Sequence, residues 1–180
     1  ADANPATSEG VFVYDPERLA DVQVGDLAQV SGTVSEYKTL TEIGMLTDVS
    51  VRRHDNPLPT PVTVTLPLAN ADDFERVEGM LVAFPQTLTV IDNSNLGRYG
   101  EIALSSEGRR YQLTQQHAPN RRKYTASQAN AALNTLYLDD AMRSNPDPIG
   151  FPGFVLSAAN SLRVGYEIDH LTGVMDYSAS

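Results

Sequence analysis

Residues able to do chemistry are sparse in this 180-residue chain, and the histidines are the first to weigh. His54, His117 and His170 are the side chains that change charge near neutral pH. None has a Ser or Cys nucleophile signature beside it, and no His-x-x-x-His pair offers zinc two ligands on one helical face. Asp139-Asp140 is the adjacent acid pair outside the helical segment that holds Asp72-Asp73, and neighbours on a strand point to opposite faces and do not easily converge on one metal. Near the start, Asp2, Asn4 and Glu9 offer oxygens at short spacing. A structural divalent cation is what such a loop would hold. The glycine and terminal bidentate glutamate of an EF-hand are not in place, and a solvated turn accounts for the same residues. The chain is therefore expected to be non-enzymatic and without a cofactor.

Binding chemistry is better represented. Arg98-Tyr99, Arg109-Arg110-Tyr111 and Arg121-Arg122-Lys123-Tyr124 place cations beside aromatic rings. Single-stranded nucleic acid is held by this combination, cations along the backbone path and rings on which bases stack. The same cations would also serve to pair surplus acids on a solvated insertion. Phe84 and Phe151 are read as core rather than as base platforms.

Composition limits the partners. The formal net charge is −10 and the pI near 4.6, so the bulk surface repels nucleic acid and anionic membrane, and DNA binding is expected to be weak. Cysteine is absent, which excludes disulfides and zinc-thiolate sites. No apolar run approaches the roughly 18 residues that span a bilayer. The opening Ala1-Asp2-Ala3-Asn4-Pro5 is a polar turn rather than a signal peptide, as expected of a mature or excised segment.

These residues must be positioned mainly by strands. Met80, Val82 and Phe84 alternate with Leu81 and Ala83, Leu88 and Val90 with Thr87 and Thr89, and Ile102 and Leu104 with Ala103 and Ser105. Period-two alternation predicts strands burying one face and wetting the other. Pro85 ends the first run, and Asp92–Gly97 is turn chemistry before the third. Earlier strands are expected at Val11–Tyr14, Leu27–Tyr37 and Leu40–Leu46, the last broken by Gly44. Gly32 suggests a bulge or bend. Asn70–Val77 reads as one capped helical turn or two, Ala126–Leu136 as a helix with Ala129, Ala132, Leu133 and Leu136 on one face, residues 145–153 as a loop, and Leu162–Tyr177 as strand. His54–Pro61 is a Pro-rich connector. The expected organisation is a first module over residues 1–53, a linker over 54–61 and a second module over 62–180, with an insertion at about 106–160.

An internal echo supports two modules. Val24-Gly25-Asp26 followed by Glu36-Tyr37 is repeated as Val164-Gly165-Tyr166 followed by Asp176-Tyr177, at the same spacing. The predicted fold class is all-β with minor α: tandem or interlocked OB-like β-barrels with a long, partly helical insertion.

Several stretches together resemble a known family. Asn4–Tyr14, Val24-Gly25-Asp26 through Val30–Tyr37, Glu78–Val82, Gly97–Glu101, Leu138–Ala141 and Leu162–Gly165 resemble the OB-fold region of large secreted modular bacterial nucleases, the ExeM/NucH-like extracellular endonuclease/exonuclease family. In that family the OB region lies upstream of a metal-dependent endonuclease/exonuclease/phosphatase domain. No Gly-Asp-Phe-Asn, Ser-Asp-His or Gln-Glu signature of that domain occurs here. The resemblance implies an extracellular accessory module that positions DNA for a separate catalytic domain of the parent protein. An alternative expectation is structural. If Val11–Tyr14 and Leu171–Tyr177 leave unfinished barrel edges, copies would complement one another head to tail and assemble as oligomers or filaments.

Overall fold

The computed structural model describes residues 4, 7–142, 149, 156–157 and 159–176; Asp2, residues 145–148, Phe151 and Tyr177 lie outside them. In chain order the strands are β1 (Phe12–Val13), β2 (Leu27–Tyr37), β3 (Leu40–Arg53), β4 (Val62–Thr63), β5 (Leu81–Phe84), β6 (Leu88–Asp92), β7 (Ile102–Ser105), β8 (Leu136–Leu138), β9 (Glu167–Ile168) and β10 (Leu171–Val174). Three helices, α1 (Leu96–Tyr99), α2 (Leu113–Gln116) and α3 (Arg121–Leu133), join them. The fold is mainly β. Among the described residues the strands form three sheets, in the orders β1-β3-β2, β10-β5-β4 and β8-β7-β6-β9, and no closed barrel.

The chain divides into two compact units interleaved along the sequence. The first comprises Ala1–Thr63, Asp72–Ala83 and Thr172–Ser180, the second Val64–Ala71 and Phe84–Leu171. The Pro-rich stretch 54–61 falls within the first unit.

In the first unit, β2 and β3 form a long antiparallel hairpin closed at Tyr37↔Leu40. Its two turn residues, Lys38 and Thr39, both have positive φ, 51° and 73°. That is the type I′ turn whose twist matches two-residue hairpins, made here without the usual Asn-Gly. Strand β3 does not break at Gly44 as expected. The register moves from Ser31↔Asp48 to Thr33↔Gly44, so Met45, Leu46 and Thr47 bulge opposite Gly32. A Cβ on Gly32 would meet the Gly44 carbonyl at 2.7 Å, which explains why the bend needs glycine. On the other side β1 runs parallel to β3, and Tyr14 N–H donates to the Ile43 carbonyl at 3.0 Å. The segments expected to present open edges thus each have one neighbour, β3 for Phe12–Val13 and β5 for Leu171–Val174.

In the second unit, β6 and β7 keep the predicted spacing but not the predicted exposure. Leu88, Thr89 and Val90 are all buried, as are Ile102 through Ser105. Both faces of these two central strands are covered, and the small Thr89, Ala103 and Ser105 fit the second face without bringing charge into it. In β5, whose Leu81–Ala83 belong to the first unit, the alternation holds, with Val82 and Phe84 buried and Leu81 and Ala83 half-buried. The turn expected over Asp92–Gly97 becomes partly helix α1. The Asn70–Val77 segment forms two 3-10 turns, Ala71–Asp73 and Glu75–Val77, and the second has no side-chain cap. The expected Leu162–Tyr177 strand is divided by a turn at Arg163–Tyr166 into β9 and, further on, β10.

The echo recurs as geometry. Asp26 N–H donates to the Gln23 carbonyl, and Tyr166 N–H to the Arg163 carbonyl, each at 3.0 Å. Gly25 and Gly165 occupy the same turn position with φ of 92° and 97°. A glycine with positive φ at that position defines a type II turn.

Candidate nucleic-acid interface

The basic and aromatic residues singled out by sequence all lie in the second unit. Arg98 and Tyr99 end α1, where Gly100 (φ 72°) caps the helix by donating to the Leu96 carbonyl at 3.1 Å. The Arg98 guanidinium stands 5.0 Å from the centroid of the Tyr99 ring. Strand β7 then carries the chain away, so Arg109, Arg110 and Tyr111 emerge at its opposite end. Arg109 lies 5.5 Å from the Tyr111 ring, and Tyr111 is 52% exposed. Arg110 is spent on structure: its guanidinium donates to Thr135 Oγ1 at 3.1 Å and to the Asn134 carbonyl at 3.0 Å.

Helix α3 begins with the third group. Asn120 Oδ1 accepts from the Lys123 amide at 3.1 Å and starts the helix. Arg121, Arg122, Lys123 and Tyr124 fill the first turn and are exposed. Cations here add to the positive end of the helix dipole rather than opposing it. The expected apolar face of this helix is not formed, because no α3 residue is buried. Leu136 is buried instead from β8. The helix is held by its ends and edges: the Leu133 carbonyl accepts from Leu68 N–H at 2.7 Å, and Glu107 accepts from Asn130 at 2.9 Å. Its 13 residues span about 20 Å, which separates the Arg121 turn from Arg110 near Asn134. The structure therefore spreads the cations over three stations rather than one cluster. An apolar cleft of about 230 Å³ opens beside Arg121, lined by Leu113, His117, Pro119 and Tyr124 among others.

Among the described residues, no carboxylate pairs with Arg98, Arg109, Arg121, Arg122 or Lys123. The acids near them are occupied by amides, Glu101 by Asn95 at 2.8 Å and Glu107 by Asn130. Sequence reasoning passed over Lys38, which stands 5.4 Å from the Tyr37 ring at the hairpin tip of the first unit. Its signal was the same adjacency of cation and tyrosine that marked the other pairs.

Several of the other chemistry-bearing residues make local contacts. His54 Nδ1 lies 2.7 Å from Asp26 Oδ1, and Asp26 Oδ2 accepts from the Gln23 amide at 2.9 Å. The backbone bond from Gln23, with His54 beside it, holds the Asp26 carboxyl below the usual aspartate range. Asp139 and Asp140 accept from the amides of Ala141 and Met142 at 2.7 and 3.0 Å, and Asp73 pairs with Arg76 at 2.8 Å. Asn4 accepts from Thr7 through its carbonyl, and the Glu9 amide meets Met80 Sδ at 3.5 Å. Among the described residues no group of three or more His, Asp or Glu is placed to hold a metal ion, and no helix is long and apolar enough to cross a membrane.

Glu78 is the one buried acid among the described residues. It is 6% exposed, and its Oε2 accepts from the Thr41 amide at 3.4 Å while Oε1 has no partner. Burial pushes its carboxyl above the ordinary glutamate range, and the nearby charges of Glu36, Glu75 and Asp176 push the same way. In comparisons with family models, curated proteins and solved structures, the chain matches none.

Proposed function

We propose that this chain is a non-catalytic, OB-like accessory module of a secreted nuclease, holding single-stranded DNA for a catalytic domain carried elsewhere in the parent protein. The observation that carries this reading is the set of exposed cations without carboxylate partners among the described residues, each group beside a tyrosine. The Arg121–Lys123 turn would take phosphates, and the cleft against Tyr124 and Pro119 would take a base by stacking. With a net charge of −10 the long-range field opposes DNA, so binding rests on local contacts and falls steeply with salt.

Titration of a labelled oligothymidine at two salt concentrations tests this. Replacing Arg121, Arg122 and Lys123 by Ala should weaken binding and lower the slope of log K against log salt by about 2, near 0.7 for each phosphate that is no longer neutralised. Arg110→Ala should leave that slope unchanged, since its guanidinium is already committed. An unchanged slope in the triple variant removes the site from α3. Purified protein should not cleave DNA with added divalent metal, and cleavage abolished by a single Asp or His substitution would refute the non-catalytic reading.

A further inference from the structure

Strand β2 is 11 residues long and lies at the margin of its sheet, with β3 on one side and no strand on the other among the described residues. Which of its backbone groups are free can be read from its neighbours. The Ser31 carbonyl faces β3, where it accepts from Thr47 Oγ1 at 3.3 Å. The Ile43 carbonyl is turned to β1, accepting from Tyr14, so Val34 opposite Ile43 is a pair whose backbone groups point apart. The N–H and C=O groups of Ala28, Val30, Gly32, Val34 and Glu36 therefore point away from β3. Such edges are ordinarily blunted by Lys or Pro. Strand β2 has neither, and Glu36 is its single charge.

We infer that this edge pairs antiparallel with the same edge of a second copy of this chain, about a two-fold axis through Gly32. The strand reads nearly the same in polarity in both directions from that residue. A register centred there sets Val30 against Val34, Ser31 against Thr33, Gln29 against Ser35 and Leu27 against Tyr37. It joins residues of like parity, so the free groups of one strand meet the free groups of the other. Glu36 falls opposite Ala28, and the two Glu36 side chains stand roughly 27 Å apart, eight positions along the strand. The even-numbered side chains share the face of a cleft of about 460 Å³ lined by Ala28, Val30 and Val49 together with Asp15, Arg18 and Asp21. The axis keeps both clefts on one side of a continuous six-stranded sheet, where Val34, 66% exposed in the single chain, is covered by Val30 of the other copy. The contact is isologous and closes at two copies, unlike a head-to-tail chain.

Sedimentation velocity over a range of concentrations should show a species of twice 19.5 kDa. Val34→Pro removes one outward N–H per copy, two hydrogen bonds in the pair, and should weaken self-association by about tenfold or more while the β3 ladder stays intact. Circular dichroism verifies that this variant folds. The chain has no native cysteine, so Gln29→Cys with Ser35→Cys should give a disulfide-linked dimer under oxidation, whereas Ser35→Cys alone should not, its two copies lying roughly 20 Å apart. A strictly monomeric wild type, a dimer indifferent to Val34→Pro, or a dimer that the paired cysteines fail to link would each overturn the inference.

Discussion

Lys38 and Thr39 close a two-residue hairpin with left-handed backbone at both positions, a conformation glycine takes freely and a β-branched residue resists. Thr39→Gly should therefore stabilise the hairpin by about 1 kcal/mol, read as a higher denaturation midpoint at unchanged m-value. Two carboxyls of the first unit respond to acid in opposite senses. Glu78, raised above its ordinary value of 4.5, contributes stability that is fully present below that value and is lost as pH rises through the folded one. Glu78→Gln should be more stable than wild type at neutral pH, by on the order of 1 kcal/mol, with the difference shrinking on acidification. Asp26, lowered from 3.8, contributes stability present above that value and lost as pH falls through its folded value. Asp26→Asn should be the less stable protein at neutral pH and approach wild type in strong acid, as thermal melts across pH will show. The likeness of the Gly25 and Gly165 segments was legible in the sequence as a repeated spacing, but the turn at Gly165 was not, because it lay inside an expected strand. The burial of Glu78 was not, because an acid beside a glycine at a strand entrance looks the same whether or not Thr41 and Asp176 come to lie near it.

Among elements, spacing showed where strands lie better than what covers them. Strands β5, β6 and β7 stand where alternation put them, yet β6 and β7 are buried on both faces. Thr89 and Ser105 are polar enough to look wet and small enough to be covered. Leu104→Ala should cost about 2–5 kcal/mol, the range for a fully buried leucine, and chemical denaturation will measure it. Helix α3 misled in the other direction. Its alanines suggested a packed stripe, but a stripe of such short side chains has little apolar area to bury, and the helix lies exposed. The bulge opposite Gly32 was signalled by the glycine, but its size depends on Met45–Thr47 and could not be counted from one strand. Of the candidate interface, the sequence showed which residues are basic and aromatic. It did not show that β7 and the length of α3 hold them at three stations.

For the molecule as a whole, the charge of −10 bears oppositely on the two proposed binding events. Rising salt should weaken DNA binding, which depends on cations, and strengthen the β2–β2 association, which brings two acidic copies together. Titrating both in one salt series will show slopes of opposite sign. The interleaving of the two units has a consequence during synthesis. From Thr172 on, strand β10 belongs to the first unit and is translated after all of the second unit, which needs nothing beyond Leu171. Of the two units the one begun first is therefore finished second, and a nascent chain carries β5 unpaired on its β10 side until Leu171–Val174 emerge.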